Sequence, residues 1–233
     1  MQTKRIRKRT EFFLLIWKLT KLIVSIAEVF EKSVTEYPDL AKRHMWFNHT
    51  VINPGATRFL FLTRTRNEKD NLDSAMFTAN MDGTDLVQVI PFDSGVSHFG
   101  WRNDNEVIAT FNRRGEKEMK HYLFPDKTFD YKAVGDGFII GNGHCTFTAD
   151  GRWIATDRKD KASNSQSLWL YDMELDKGMI LHSKPVNEKK YFSGNIRCDF
   201  HPRWNPSGNK ICFDAIDTET GTRQMHLVEF VDN

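Results

Sequence analysis

Cysteine is scarce in this chain and shows no pairing pattern. Cys145, Cys198 and Cys212 are odd in number and have no C-x-x-C spacing. That excludes a disulfide framework and a structural zinc knuckle. The expectation is three half-buried strand cysteines in a reducing compartment. A Gly-rich phosphate loop is also absent, as are a helix–strand alternation and any long helical pattern, so a doubly wound nucleotide-binding fold has no support. Nor does charge of one sign dominate. Lys and Arg number 33 against 31 Asp and Glu, a net charge of +2, and no global field argues for nucleic acid.

Long uninterrupted apolar runs are missing as well. The stretch Phe12–Val24 follows a basic run of Lys4, Arg5, Arg7, Lys8 and Arg9, as a signal peptide or anchor would. Lys18 and Lys21 interrupt it, and no small-x-small cleavage site follows. It is too short and too charged for a membrane span. The expected reading is an amphipathic helix or leader, with weak membrane contact as the alternative. The expected compartment is cytoplasmic; the alternative is periplasmic, or membrane-associated through this segment.

What the sequence does contain is a repeat. Four segments align on a histidine at positions 49, 98, 144 and 201, which lie 49, 46 and 57 residues apart. A short strand is expected to start at each histidine, with a large apolar residue three positions on: Ile52, Trp101, Phe147 and Trp204. A turn of Asn, Pro, Asp and Gly follows (NPGA, RNDN, ADGR, NPSG), the chemistry that reverses a hairpin. A second apolar strand comes next (FLFL, IATF, IATD, ICFD), and then a third at 74–85, 118–126, 167–178 and 223–233. Short strands in units of about 45–55 residues are the signature of propeller blades. A β-sandwich is the alternative, but it would not repeat the whole unit in order. The expected fold is an all-β propeller of about four blades, 47–92, 93–140, 141–190 and 191–233, preceded by a basic leader and short helical segment over 1–46 broken at Pro38. A lone blade cannot bury both faces, so self-association to complete the ring is a further expectation.

In a propeller the first strand of each blade lines the central channel. Half of the eight histidines fall at the one repeated position. His49, His98, His144 and His201 are therefore expected to ring the axis, as a divalent-metal site or as structural hydrogen-bond hubs. Near the last of them, Arg197, Asp199 and His201 are two apart and would share one face of a strand. Asp199 is read as a ligand or as the partner that orients His201, and alternatively as an ion-pair partner of Arg197. Arg64 and Arg66 alternate on one face and suit carboxylate substrates, although Arg66 also reads as a solvated blade edge. Gln224 and His226 read as outer packing.

The runs HCTFTADGRWIATD, CDFHPRWNPSGNKICFD and RQMHLVEF, together with VSHFGWRNDNEVIAT and WFNHTVINPGATRFLFLTR, resemble bacterial oligogalacturonate lyases and their TolB-like propeller relatives. The resemblance runs from about Leu22 to Asn233. It implies a seven-bladed family fold of which this chain holds about four blades. It further implies a divalent metal, usually Mn²⁺, in the channel mouth and β-elimination of short oligogalacturonates, as in pectin degradation. Carried over by motif, His144 and His201 match metal ligands, His98 matches the general base, and Arg64 matches the arginine beside it. Asp199 stands where the family has a second histidine, and Ile196 or Asn195 where it has a glutamine. His49, Arg197 and Arg203 are assigned to substrate binding. The alternatives are a non-catalytic TolB-like propeller that binds a protein or glycan, and an inactive truncated lyase homologue.

Overall fold

A computed structural model describes residues 22–231, apart from 115, 117, 187 and 188. The basic run and most of the Phe12–Val24 stretch lie outside the described residues. The chain folds as a β-propeller arrangement of four sheets, each antiparallel with its strands side by side in sequence order. Blade 1 is β1 (Met45–Ile52), β2 (Arg58–Arg66), β3 (Leu72–Asn80) and β4 (Val87–Ile90). Blade 2 is β5 (Phe99–Trp101), β6 (Glu106–Phe111), β7 (Lys120–Pro125) and β8 (Lys132–Ala133). Blade 3 is β9 (Cys145–Phe147), β10 (Trp153–Asp160), β11 (Ser165–Asp172) and β12 (Lys177–Pro185). Blade 4 has three strands, β13 (Arg203–Trp204), β14 (Lys210–Ile216) and β15 (Arg223–Glu229). Among the described residues no helix is long and apolar enough to cross a membrane.

The repeated turns work by one device. Asn53 Oδ1 accepts the main-chain N–H groups of Thr57 and Arg58 at 2.9 and 3.0 Å. Asn205 Oδ1 accepts those of Asn209 and Lys210 at 3.0 and 2.9 Å. A short polar side chain thus replaces the missing ladder at the corner between the first and second strands. The second strands of blades 1–3 are buried on both faces over most of their length, which is why they read as near-continuous apolar runs. Leu60 and Leu62 pack with Val107, Ala109 and Phe111 of blade 2. Ile108 and Leu123 pack with Ile154 and Tyr171 of blade 3. Ala155 and Leu168 pack with Ile211, Phe213 and Ala215 of blade 4.

The two ends of the stack differ. On blade 1, Phe59, Phe61 and Phe77 face away from blade 2 and are covered by Val29 of helix α1 (Ile26–Ser33) and by Leu40 of the 3₁₀ turn Pro38–Lys42. Ser25 starts α1 with a capping box: its Oγ accepts the Glu28 N–H at 3.2 Å, and its own N–H donates to Glu28 Oε2 at 2.6 Å. On blade 4 the alternate face of β14 and β15 carries Cys212, Met225 and Leu227, with Met225 78% and Leu227 59% exposed.

Candidate functional site

The histidines sit where each blade turns inward, but only one lies inside a strand. His49 occupies an irregularity of β1 between Asn48 and Val51, with φ at 49°. His98 and His144 immediately precede β5 and β9, and His201 lies two residues before β13 with φ at 45°. The expected strand over 197–201 is not formed. That segment makes no ladder, and its Cys198 N–H and carbonyl are taken by the Tyr191 carbonyl at 2.8 Å and by Gln166 Nε2. Left-handed backbone at His201 then redirects the chain into β13.

Three of the four imidazoles converge. The ring centroids of His98 and His144 are 3.8 Å apart, and those of His144 and His201 are 3.9 Å apart. Ligand atoms of His144, Asp199 and His201 all lie within 4.8 Å of one another. His49 stands against Phe99 instead, ring to ring at 6.5 Å. A cavity of about 470 Å³ opens beside the cluster, lined in part by His98, Asn142, Lys159, Lys161, Phe192 and Arg197.

The hydrogen bonds decide which nitrogen each ring offers. His144 Nδ1 lies 3.0 and 3.1 Å from the two carboxylate oxygens of Asp157, which can only accept. His201 Nδ1 lies 3.2 Å from the Asp199 carbonyl, also an acceptor only. His98 Nδ1 faces Asn142 Oδ1 at 2.5 Å. In their neutral forms His144 and His201 therefore carry the proton on Nδ1 and leave Nε2 as the free nitrogen, and His98 does the same with its Nδ1 donating to the Asn142 amide oxygen. Two such nitrogens and a carboxylate form a donor set that fits a divalent transition metal. Burial, reinforced by neighbouring His144, pulls the His98 pKa down to about 4, so the ring is neutral near pH 7. His201 is lowered by the same two causes. His49 is lowered by burial and then by Arg64, His144 and His201.

Asp199 is engaged on both oxygens, by Arg197 Nε at 2.7 Å and by the Lys159 ammonium. Burial alone would raise its pKa, but these two cations hold it below the usual carboxylate range. The ligand reading and the ion-pair reading of Asp199 thus describe one side chain. Arg64 lies on β2 opposite Trp46. Among the described residues it has no carboxylate partner, and its Nε is buried without an acceptor. Arg66 pairs with Asp70 at 3.4 Å on an exposed edge. Arg203 pairs in register with Cys212, on the open face of blade 4, and its Nη1 donates to the Pro202 carbonyl at 2.9 Å. Gln224 and His226 pair with Ala215 and Phe213 on the face toward blade 3, and His226 stacks on Phe213 at 5.5 Å. Ile196 is 59% exposed, and no glutamine is among the described residues that line the cavity.

Sequence reasoning missed Asp157, Lys159 and Asn142. The signal for Asp157 lay in the repeat. Where the first two aligned second strands carry Leu62 and Phe111, the third and fourth carry Asp157 and Asp214, and a buried charge there needs a partner.

No family model matches the chain, and no curated protein matches it. Solved structures do. An oligogalacturonate lyase from Vibrio parahaemolyticus superposes with a TM-score of 0.58 at 15% identity, over 79% of this chain and 49% of that one. An oligogalacturonate lyase in complex with manganese gives 0.51 at 14% identity, over 78% and 53%. TolB from Acinetobacter baumannii gives 0.54 at 15% identity, over 75% and 39%. The chain thus spans about half or less of the length of these neighbours, and what it shares with them is the propeller fold.

Proposed function

We propose that this chain is an oligogalacturonate lyase-like protein that performs metal-assisted β-elimination on short uronate oligosaccharides. The supporting observation is the neutral imidazole of His98 lying 3.8 Å, ring to ring, from the His144–Asp199–His201 cluster. A divalent cation, manganese in one of the similar structures, would be held by His144, His201 and Asp199 and would supply positive charge to the substrate carboxylate as the C5 proton leaves. His98 takes that proton on Nε2, with its other nitrogen pinned by Asn142. The C5–H electron pair forms the C4–C5 double bond, the C4–O pair leaves with the glycosidic oxygen, and that oxygen takes a proton from water as the 4-linked sugar departs. Arg64, lacking a carboxylate partner among the described residues, binds the acid group. His49, Arg197 and Arg203 are the remaining substrate-binding candidates.

One observation favours a second reading, a non-catalytic TolB-like propeller: both oxygens of Asp199 are already engaged by Lys159 and Arg197. Titration with Mn²⁺, together with the ultraviolet absorbance of unsaturated products from a galacturonate disaccharide or trisaccharide, separates the two. Under the lyase reading, His98→Ala lowers elimination by about 10²–10⁴-fold and keeps the metal, whereas His144→Ala with His201→Ala strips it. A wild-type protein that binds no Mn²⁺ and yields no unsaturated product leaves the second reading.

A further inference from the structure

The cluster is held from behind by a carboxylate that is not one of its members. Asp157 lies on β10, is 8% exposed, and faces blade 4 on the same side as Ala155. Its Oδ1 accepts the His144 main-chain N–H at 2.7 Å, and its Oδ2 accepts the His201 main-chain N–H at 3.1 Å. Both oxygens also lie within 3.1 Å of His144 Nδ1. One side chain thus gathers donors from two blades. It fixes the tautomer of one candidate ligand and the backbone of the other, whose left-handed φ of 45° a β-carbon disfavours. Two residues along the same face, Lys159 pairs with Asp199 and donates to the Phe192 carbonyl at 2.9 Å. All three members of the cluster are therefore braced from one strand. The aligned residue of blade 4, Asp214, faces the open side of that blade, where it pairs with Arg223 and, among the described residues, has no hydrogen bond to a histidine.

We propose that Asp157 is a positioning residue that presets His144 and His201 for a divalent cation. The proposal rests on the metal-centre reading above. In Asp157→Asn the amide keeps the shape but places a donor where an oxygen received N–H groups. Mn²⁺ affinity, measured by calorimetry on the full chain, is expected to fall about 10–100-fold, the range for partners of metal-ligating histidines, while circular dichroism stays unchanged. Asp214→Asn is expected to leave the affinity unchanged. Long-range ¹H–¹⁵N spectra of the metal-free wild-type protein are expected to show His144 protonated on Nδ1. That measurement needs no variant, so it decides even if Asp157→Asn fails to fold. A His144 proton on Nε2, or Asp157→Asn binding Mn²⁺ as tightly as wild type, overturns the proposal. Wild-type protein that binds no Mn²⁺ overturns the metal-centre reading and this proposal with it.

Discussion

Arg58 offers a direct test of how the blades are joined. It begins β2 with its side chain only 9% exposed, and its Nε meets Asp126 Oδ2 of blade 2 at 2.5 Å. Its Nη1 meets Asp85 Oδ2 at 2.9 Å and Asn80 Oδ1 at 2.5 Å, and its Nη2 meets Thr78 Oγ1 at 3.1 Å. The two carboxylates are not equivalent. Asp85 is 38% exposed and has Lys127 as a second partner, so it survives loss of the arginine. The side chain of Asp126 is 7% exposed and, among the described residues, meets no other cation. Replacing Arg58 with Met keeps most of the apolar volume and strands that carboxylate. Breaking a buried pair from one side costs about 3–5 kcal/mol, chiefly through the uncompensated charge. For a chain of this size, roughly 2–4 °C per kcal/mol makes this a fall of about 6–20 °C in Tm. Adding Asp126→Asn removes the stranded charge, so the double variant should recover about 2 kcal/mol or more. Urea unfolding followed by tryptophan fluorescence measures both. An Arg58→Met variant that loses under about 1 kcal/mol, or a double variant no more stable than the single, refutes the reasoning.

Three further outcomes follow from other contacts. Asp172, pinned by Arg152 at 2.7 Å, has its pKa lowered to about 2, with burial opposing the shift. A carboxyl depressed in the folded state stabilises fully above its unfolded pKa of about 3.9, and that contribution is lost as pH falls toward the folded value. Asp172→Asn should therefore lower Tm at neutral pH and flatten the Tm profile between about pH 4 and 2. A Cβ on Gly143 would lie 2.0 Å from the Asp157 carbonyl, so Gly143→Ala must push the segment that carries His144 away from β10, which carries Asp157. It should cost about 1–3 kcal/mol in urea unfolding and weaken Mn²⁺ binding, and wild-type values on both would count against that packing. Met225→Ser with Leu227→Ser should reduce binding of an apolar dye to the open face of blade 4 without lowering Tm.

The blade pattern was legible because it rests on local chemistry. The turn asparagines Asn53 and Asn205, the apolar second strands and the repeated histidines recur in the sequence as they recur in space. The short α1 was visible from its position before the repeat, but its role was not. That Val29 would cover Phe59 and Phe77 of blade 1 depends on tertiary placement, which periodicity does not encode. The site was half legible. His98, His144 and His201 were brought together through their shared place in the repeat, whereas His49, at the same place, lies on an irregularity in β1 with its ring against Phe99. Asp199 and His201 were expected side by side on a strand. They meet instead because a left-handed residue folds Nδ1 of His201 back onto the Asp199 carbonyl. Asn142 gave no signal, since an isolated loop asparagine reads as turn chemistry.

Under the proposed lyase reading, metal binding and turnover would be separable, because their candidate residues come from different blades. His98 comes from the lead-in to blade 2, His144 and Asp157 from blade 3, and Asp199 and His201 from the lead-in to blade 4. Their hydrogen bonds close within blades 2–4 and use nothing from blade 1. Arg64 is the exception among the candidates, on β2 of blade 1. Blade 1 is joined to blade 2 by the packing of Leu60 and Leu62 and by the Arg58–Asp126 pair. Arg58→Met should therefore leave Mn²⁺ affinity as it was, while any elimination activity falls along with the stability of the blade 1–blade 2 junction. Equal losses of metal and activity in that variant would mean that the histidine cluster depends on blade 1 after all.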